Sequence, residues 1–388
     1  MTTCILWFRN NLRLGDNLPV AQAYAHYDRV VPVFIDAVSG RGEDRYGNEP
    51  IGAYRKAFLQ ESLQDLQQQL QNRGSDLFVF KGDPLQLLPL LARELGVQAV
   101  IGPREMAWNE QEEERTLKVW GRENACQVQF FEERTLYKEA DLPFTLSSLP
   151  AVFSNFRGKV EKRATPALPI DEPEISTLPQ GLLPPTPVVP EVVSRDPRSA
   201  FPLRGGSKAA LESLDFYFWQ EQLVTSYKDT RNEMIGRNYS SKFSPYLALG
   251  CVSARQIAAE LQQFEEEVEK SEQTYWLLFE LLWREFFQWV ARAHGARLFY
   301  PNGLKPEVSA KRRFNQKAFE RWKNGTTGDD LVDANMRELR ATGFMSNRGR
   351  QNVASYLIHD MGLEWTCGAQ WLESQLIDYD PASNYGNW

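Results

Sequence analysis

The sequence predicts an α/β N-terminal domain with a doubly wound parallel sheet, followed by an all-α C-terminal domain. Three observations predict this organisation. Short apolar runs alternate with amphipathic stretches over residues 1–135, prolines concentrate before residue 203, and amphipathic helical patterns fill residues 203–388. With 388 residues, the chain is long enough for each domain to bury a core of its own.

The apolar runs of the first domain are, in order, "TCILWFR", "RVVPVFID", "DLFVFKGD", "VQAVIG" and "CQVQFF". An amphipathic stretch such as "YRKAFLQESLQDLQQQL" separates each run from the next. This alternation is typical of strands joined by crossover helices, so the sheet should be parallel. Because no G-x-G-x-x-G and no P-loop motif appears, we do not expect a conventional dinucleotide or nucleoside triphosphate site in this domain.

Residues 136–202 are predicted to form a proline-rich interdomain connector. Ten of the 22 prolines lie between Thr165 and Pro202, and proline at this density interrupts helices and sheet ladders. A docking site for a proline-reading partner is the alternative interpretation.

The second domain, residues 203–388, shows helical patterns such as "ARQIAAELQQFEEEVEK" and "TYWLLFELLWREFFQWVARAHG". Residues 310–350 hold ten Lys or Arg against five Asp or Glu, although the net charge of the whole chain is −7. Such a region can bind a polyanion with a salt-dependent affinity, or it can be a solvated helix face.

The four cysteines and three histidines are dispersed. Their spacing argues against a metal site and against a disulfide framework, and it favours a reducing compartment. The apolar run near the N-terminus has no basic region before it and is too short to span a bilayer. We therefore expect a soluble cytoplasmic protein that does not bind a membrane.

The segment "YSSKFSPYLALG" has the composition of an anion site. Ser244 followed by Pro245 predicts a helix start with Ser244 as the N-cap. Ser240, Ser241 and Lys242 lie just upstream, so hydroxyls, an ammonium and a positive helix end converge, which suits a phosphate or pyrophosphate. Simple helix capping is the alternative.

In "FELLWREFFQWV" the spacing places Glu280, Trp283, Arg284 and Phe287 on one helix face. A carboxylate, an indole and a guanidinium on one face could stack on a base and hydrogen-bond to it. An apolar face with one ion pair explains much of the same pattern.

The last residues, "LIDYDPASNYGNW", bring Asp378, Asp380, Asn384 and Trp388 into close order. A calcium loop is excluded because Ala382 and Ser383 occupy positions where that loop requires an oxygen ligand and glycine. An ordinary turn explains the residue types in isolation.

Five segments together carry a resemblance to a known family. In chain order they are "LWFRNNLRLGDN", "YKDTRNEMIGRNYSSKFSPYLALG", "WREFF", "VDANMRELRATGFMSNRGRQNVASYLIHD" and "SQLIDYDPASNYGNW". They resemble the photolyase/cryptochrome family, and most closely its cryptochrome DASH branch. The resemblance extends from Ile5 to Trp388.

The resemblance implies an FAD folded into a U within the helical domain. Its diphosphate would lie near Tyr227 and the segment 240–244, and its flavin ring would face Asp378 and Asp380. Protein groups of this kind tune the electronics of the cofactor. Arg350 would pair with Asp378, and Asn384 would lie near the redox-active nitrogen. The implied cofactor-binding residues are Tyr227, Ser240, Ser241, Lys242, Phe243, Ser244, Asn347, Arg350, Asp378, Asp380 and Asn384.

The implied function is blue-light repair of cyclobutane pyrimidine dimers by electron transfer from reduced flavin. Photolyases take the dimer out of the base stack, and because extrusion from a duplex costs about a few kcal/mol, the DASH resemblance implies a preference for single-stranded DNA. The protein is expected to be a monomer. A blue-light photoreceptor that signals without repair is the alternative.

The residues implied in catalysis are Glu280, Trp283, Asn347 and Asn384, and the residues implied in DNA binding are Arg231, Glu280, Trp283, Arg284, Met345 and Arg348.

Two further expectations concern light harvesting and electron supply. The resemblance implies an antenna beside the sheet domain, either methenyltetrahydrofolate or a second flavin. Glu110 is the candidate for a folate contact, although helix N-terminal acidity also explains this glutamate. Trp388 is expected to be the indole nearest the flavin, and Trp365 the next. Arg312 occupies the outer position of this relay, so the path should be broken there or rerouted through Trp322 and Trp371. Because family members continue past the position of Trp388, the helical domain is expected to lack their last helices.

Overall fold

The computed structural model describes residues 2–179, 181–304 and 313–388. Five parallel strands form one sheet in the order β3-β2-β1-β4-β5, which confirms the predicted doubly wound fold. The strands are β1 (Thr3–Phe8), β2 (Arg29–Asp36), β3 (Phe78–Lys81), β4 (Ala99–Arg104) and β5 (Gln127–Glu132).

Four helices connect the strands: α1 (Leu18–His26), α2 (Ala53–Gln71), α3 (Pro84–Glu94) and α4 (Trp108–Glu123). All six residues of β1 are buried, as expected for a central strand covered on both faces. Because side chains alternate along a strand, Leu6 and Phe8 enter one core cluster whereas Ile5 and Trp7 enter another. Leu6 lies opposite Ile101 of β4, which fixes the register.

The N-terminal half of the predicted connector contains a helix, α5 (Phe153–Arg163). Phe156 and Val160 of this helix are fully buried in the larger core cluster. Among the described residues from 164 to 206, by contrast, the chain has no helix or strand. This extended part lies along α2, where the Gln67 side chain bonds to the main chain of Thr186 and Val188.

The rest of the described chain is helical, as predicted. Two short π-helical segments, Phe216–Gln220 and Tyr356–Asp360, each continue an α-helix that ends one residue earlier. The α-helices are α6 (Ser207–Asp215), α7 (Tyr227–Thr230), α8 (Ser244–Leu249), α9 (Ala254–Glu267), α10 (Glu272–His294), α11 (Gln316–Asn324), α12 (Asp330–Thr342), α13 (Asn347–Ser355), α14 (Trp365–Gln375) and α15 (Pro381–Asn387). Within the described ranges, no helix combines the length and the apolar character needed to cross a bilayer.

Buried polar contacts fix the helical domain against the sheet domain. Arg13 bonds to Glu133 at 2.6 Å and to the carbonyl of Gly250 at 3.0 Å. Asp16, which follows β1, pairs with Arg255 of α9 at 3.0 Å. Glu285 of α10 is fully buried and accepts a 2.8 Å hydrogen bond from the Leu136 N–H. These contacts hold α10 in place, and α10 forms one wall of the site described next.

Candidate functional site

A cavity of about 660 Å³ lies among the helices of the second domain. Its walls come from the segment 239–248, from α10, from the start of α13 and from the residues around α15. The structure brings together most of the residues proposed from sequence, namely Tyr227, Arg231, Ser240, Ser241, Lys242, Phe243, Ser244, Glu280, Trp283, Arg284, Met345, Asn347, Arg348, Arg350, Asp378 and Asp380.

Asp378 makes two polar contacts at this cavity, an ion pair with Arg350 and a hydrogen bond with Ser244. The Arg350 Nη2 atom lies 2.8 Å from one carboxylate oxygen, as expected from the resemblance. The Ser244 hydroxyl donates to the same oxygen at 2.7 Å. Asp378 therefore joins α8 to α13, and its position depends on both.

The predicted N-cap role of Ser244 is wrong. Helix α8 begins at Ser244, and Phe243 occupies the N-cap position without a side-chain cap. The Ser244 hydroxyl donates to the Asp378 carboxylate, a charge-assisted hydrogen bond.

Asp380 is buried and holds three partners. Its carboxylate accepts from Arg134 Nη2 at 2.5 Å, from Gln288 Nε2 at 2.9 Å and from the Ser383 N–H at 2.7 Å. Burial by itself would raise the pKa of Asp380, but the guanidinium groups of Arg134 and Arg284 hold it below its ordinary value. The Asp380 carboxyl group is therefore ionised at neutral pH and accepts hydrogen bonds as a carboxylate.

Arg134 is a site residue that sequence reasoning missed. It lies 246 positions before Asp380, just after β5, in a region that the motifs did not single out. An arginine between two other polar residues in "EERTLY" carries no local signal of a partner so distant in sequence. The pairing arises only when the two domains pack together.

Glu280 and Arg231 meet at the cavity wall, with 2.5 Å between Oε1 and Nη1. Burial raises the pKa of Glu280, while Arg231 opposes the shift. The Arg231 guanidinium also lies 4.4 Å from the centroid of the Trp276 ring, a favourable cation–π geometry. Trp276 was not proposed from sequence, although its position four residues before Glu280 on the same helix face was an available signal.

Trp283 is fixed by aromatic neighbours. Phe153 stacks on it with a centroid distance of 3.7 Å and an interplanar angle of 13°, and Phe287 lies beside it at 5.6 Å. Phe153 is the first residue of α5. The helix found within the predicted connector therefore supports one wall of the cavity.

The segment from 240 to 242 provides the hydroxyl and ammonium groups of the cavity. Ser240 and Lys242 both have positive φ angles, 57° and 58°, a backbone geometry that costs energy for residues other than glycine. The Lys242 ammonium is buried and donates to the Tyr239 carbonyl. Burial lowers the pKa of Lys242 to about 7, and the Glu338 carboxylate opposes the shift.

Asn384 is not among the residues that line the cavity, and its place near the redox-active nitrogen of the flavin stays a prediction. Its side-chain amide donates to the Ala369 carbonyl of α14 at 3.0 Å. On the same helix, α15, the residues that do line the cavity are Ser383 and Asn387. The helix end thus uses Asn384 to dock on α14.

The two tryptophans proposed for the electron relay also lie outside the cavity wall. Trp388 packs on α14, where a Cβ added at Gly368 would lie 2.5 Å from its ring. The Trp365 indole N–H donates to the Pro301 carbonyl at 2.9 Å. Arg312, the proposed gap in the relay, lies outside the described residues.

The two proposed detour residues pack in a third core cluster. Trp322 is fully buried and donates to the Val353 carbonyl at 3.0 Å. Trp371 lies under the Lys323 ammonium at 4.9 Å. Both indoles therefore have packing roles, and their part in electron transfer stays a prediction.

Glu110 lies in the first turn of α4, in the sheet domain and away from the cavity. Burial raises its pKa to about 7, with Arg9 opposing and Glu105 adding to the shift. Arg9 itself bonds to Glu113 and Glu114 at 3.0 Å each. The folate contact proposed for Glu110 stays a prediction.

The cavity suits a dinucleotide cofactor on its own chemistry. Its volume of about 660 Å³ lies within the usual range of cofactor and ligand sites. The segment 240–242 offers hydroxyls and an ammonium to phosphates, and Asp378 and Asp380 offer carboxylates to N–H donors. The Tyr239 hydroxyl, buried in the wall, has no hydrogen-bond partner among the described residues, so a ligand atom could satisfy it.

Comparisons with known proteins agree with this site. Residues 4–174 match the family model for DNA photolyase, and residues 276–388 match the model for the FAD binding domain of DNA photolyase. Cryptochrome DASH of Gloeobacter violaceus is 43% identical over 398 aligned positions, covering 100% of this chain and 78% of that protein.

Two solved structures have the same fold across the whole chain. The cryptochrome of Synechocystis sp. superposes with a TM-score of 0.91 at 39% identity, and 81% of that chain is covered. A class III photolyase from Agrobacterium tumefaciens gives a TM-score of 0.82 at 27% identity, with 79% covered. This chain therefore belongs to the photolyase/cryptochrome family, in its cryptochrome DASH branch, and its cofactor is FAD.

Proposed function

We propose that this protein repairs cyclobutane pyrimidine dimers under blue light, preferentially in single-stranded DNA. The observation that carries the proposal is that Glu280 and Trp283 share one cavity with Asp378 and Asp380. A dimer bound to the first pair would lie next to a flavin bound to the second pair. A cavity that served a flavin alone would not need the first pair.

The residues of one end would hold the cofactor. Ser240, Ser241 and Lys242 offer hydroxyls and an ammonium to the diphosphate, while Asp378 and Asp380 offer carboxylate oxygens to flavin N–H groups. When bound and reduced, the light-excited flavin supplies an electron to the dimer and recovers it after the ring has split.

The residues of the other end would hold the dimer. Phe153 and Phe287 hold the Trp283 ring at the cavity, where the indole can contact a base of the dimer. The Glu280 carboxylate, held by its ion pair with Arg231, can accept a hydrogen bond from a base N–H. Met345 and Asn347 line the same space.

DNA would reach the cavity past a cationic rim. Arg348 is exposed and bonds to Asn232 at 3.1 Å and to Gln351 at 2.9 Å. A contact between the Arg348 guanidinium and a backbone phosphate would position the strand without reading its sequence. The preference for single strands follows from the DASH branch and from the cost of extruding a dimer from a duplex. We propose that the protein acts as a monomer.

A second candidate function is blue-light sensing without repair. The observation that favours it is that two relatives, at 43% and 39% identity, carry the name cryptochrome rather than photolyase. We also propose that Glu110 contacts a folate antenna, since a carboxyl group with a pKa of about 7 can donate to a ligand as well as accept from it.

A repair assay separates these functions. The FAD-loaded protein is given one dimer-containing oligonucleotide, either single-stranded or annealed to its complement, in blue light and in the dark. We expect light-dependent repair of the single strand, with the duplex slower by roughly tenfold or more because of the extrusion cost. Equal rates would contradict the strand preference. No repair of either DNA by FAD-loaded protein would favour the sensing function.

A further inference from the structure

We propose that Arg134 is a positioning residue for the flavin: it provides the sheet domain's counter-charge to Asp380 and thereby raises the reduction potential of FAD. The inference rests on the proposed placement of the flavin against Asp380. It adds a residue of the N-terminal domain to the control of a cofactor that the helical domain binds.

The Arg134 guanidinium is held from both domains. Its side chain is 3% exposed, and Nη2 lies 2.5 Å from Asp380. On the sheet side, Nε lies 3.5 Å from Glu105. Nη1 donates to two carbonyls, those of Asn10 and Ala248, at 3.3 Å each. Contacts to four residues leave the guanidinium little freedom to move away from Asp380.

Asp380 lies in a cluster of buried charges. Arg134 and Arg284 are the cations, Asp380 and Glu105 are the anions, and Glu110 and Glu285 also act on the two arginines. Arg284 donates to the Arg134 carbonyl at 2.6 Å, so the two arginines are neighbours, and burial together with Arg134 lowers the pKa of Arg284 to about 10. Removal of the Arg134 guanidinium would make the net charge of this buried cluster more negative by one.

That extra negative charge would act on the flavin. Two-electron reduction at neutral pH gives a flavin that carries a negative charge, so a cation nearby favours the reduced form and an anion disfavours it. In a buried cluster this Coulomb effect is screened far less than at the surface. Loss of Arg134 should lower the potential, and loss of the Asp380 charge should raise it.

A polar chain extends this control into the sheet domain. Glu105 accepts from the Asn10 side chain at 3.1 Å, and its main-chain N–H donates to Glu114 at 2.7 Å. Glu114 in turn pairs with Arg9. The charge beside the flavin is thus fixed by groups that reach back to β1 and α4.

The test compares the FAD midpoint potential of four proteins: wild type, Arg134→Met, Asp380→Asn and the double variant. We expect Arg134→Met to weaken binding of reduced FAD relative to oxidised FAD by about tenfold, which is about 30 mV for a two-electron couple. Asp380→Asn should shift the potential the other way, and the double variant should lie near wild type. Arg134→Lys, which keeps the charge, should recover most of the wild-type potential.

Arg13→Met is the matched control, because Arg13 is an equally buried arginine that bonds across the domain boundary without contacting Asp380. It should lower the melting temperature and leave the potential unchanged. If Arg134→Met does not fold, Arg134→Gln keeps the hydrogen-bond donors without the charge and carries the same expectation.

The inference is overturned if Arg134→Met and Asp380→Asn shift the potential in the same direction, or if Arg134→Met lowers stability alone, as a merely structural residue would. A wild-type protein that binds FAD but repairs no dimer refutes the proposed repair function, and the potentials still decide the role of Arg134. A wild-type protein that binds no FAD refutes both.

Discussion

Glu280 and Arg231 form an ion pair in the wall of the cavity, with 2.5 Å between the carboxylate and the guanidinium. Glu280 belongs to α10, whereas Arg231 follows α7. The pair holds the Glu280 carboxyl in one position at the place where we propose that the dimer binds. Its role can be separated from that of the flavin site because the hydrogen bond and ion pair of Glu280 are with Arg231 and not with Asp378 or Asp380.

Replacement of Glu280 by Ala should lower dimer repair by roughly 10- to 100-fold, the effect of losing a charge-assisted hydrogen bond of about 1.5–3 kcal/mol. Flavin absorbance and FAD content should not change. Glu280→Gln, which keeps a hydrogen-bonding group, should lose less. Glu272 lies on the same helix as Glu280 and forms an exposed ion pair with Lys228 of α7, so Glu272→Ala serves as the control. An equal effect of both alanine variants would contradict the assignment.

FAD affinity should fall as the pH rises above about 7. Lys242 has a pKa lowered to about 7 by burial in the free protein, and a bound diphosphate would raise it, so binding takes up a proton above that pH. Arginine stays protonated in this range, so Lys242→Arg should flatten the profile.

Glu338 is the charged group that opposes the Lys242 shift, and its own pKa is raised to about 7 by burial. In the Glu338→Gln variant this carboxyl group no longer titrates, so its pH profile shows the contribution of Lys242 without that of Glu338. The measurement is the dissociation constant of FAD between about pH 6 and pH 9. A profile that Lys242→Arg leaves unchanged would contradict the prediction.

Phe153→Leu should reduce repair while FAD remains bound, because it removes the ring stacked on Trp283 at 3.7 Å. Phe156→Leu is the control: Phe156 lies on the same helix, is fully buried and contacts Phe286 at 5.4 Å. Both substitutions should lower the melting temperature, since both remove a buried ring. Only Phe153→Leu should lower repair measured well below that temperature.

Gly368→Ala should destabilise the protein by about 1–3 kcal/mol, the usual cost of an overpacked core. The added Cβ would lie 2.5 Å from both Leu357 and Trp388. Gly158→Ala is the matched change, because its Cβ would meet nothing within 4 Å and alanine favours a helix. Chemical denaturation of the two variants gives the comparison, and equal stabilities would show that Trp388 can move.

Trp388→Phe should abolish most photoreduction of FAD by an external reductant, whereas Arg312→Trp should accelerate it. Phenylalanine keeps an aromatic ring at the position but is much harder to oxidise than tryptophan. Flavin absorbance under blue light gives the rates. Fast wild-type reduction that Arg312→Trp does not change would show that another path, such as one through Trp322 or Trp371, is intact.

The fold could be predicted from the sequence where a pattern repeats over a whole element. The alternation of apolar runs predicted all five strands, because a buried strand and an amphipathic helix have different hydrophobic periods. Helix α5 was missed because the prolines of residues 165–202 dominated the composition of a longer segment. The residues Phe153–Arg163 themselves contain no proline.

The site could be predicted in part from family motifs, and the structure supplies what motifs omit. Motifs named Asp380 and Trp283, yet neither motif contains the partner that fixes it: Arg134 for the first and Phe153 for the second. Both partners, Arg134 and Phe153, lie far from these motifs in the sequence. Contacts of this kind follow from how domains pack, which local sequence does not encode.

The stacked pair of Phe153 and Trp283 bears on how the protein can be divided. A fragment that begins at residue 203 would have every helix from α6 onwards but would lack α5 and the sheet domain. Its Trp283 would lack the stacked Phe153 ring, and its Asp380 would lack the Arg134 counter-ion. Dissecting the chain at the proline-rich stretch would therefore yield a piece in which both ends of the cavity are incomplete.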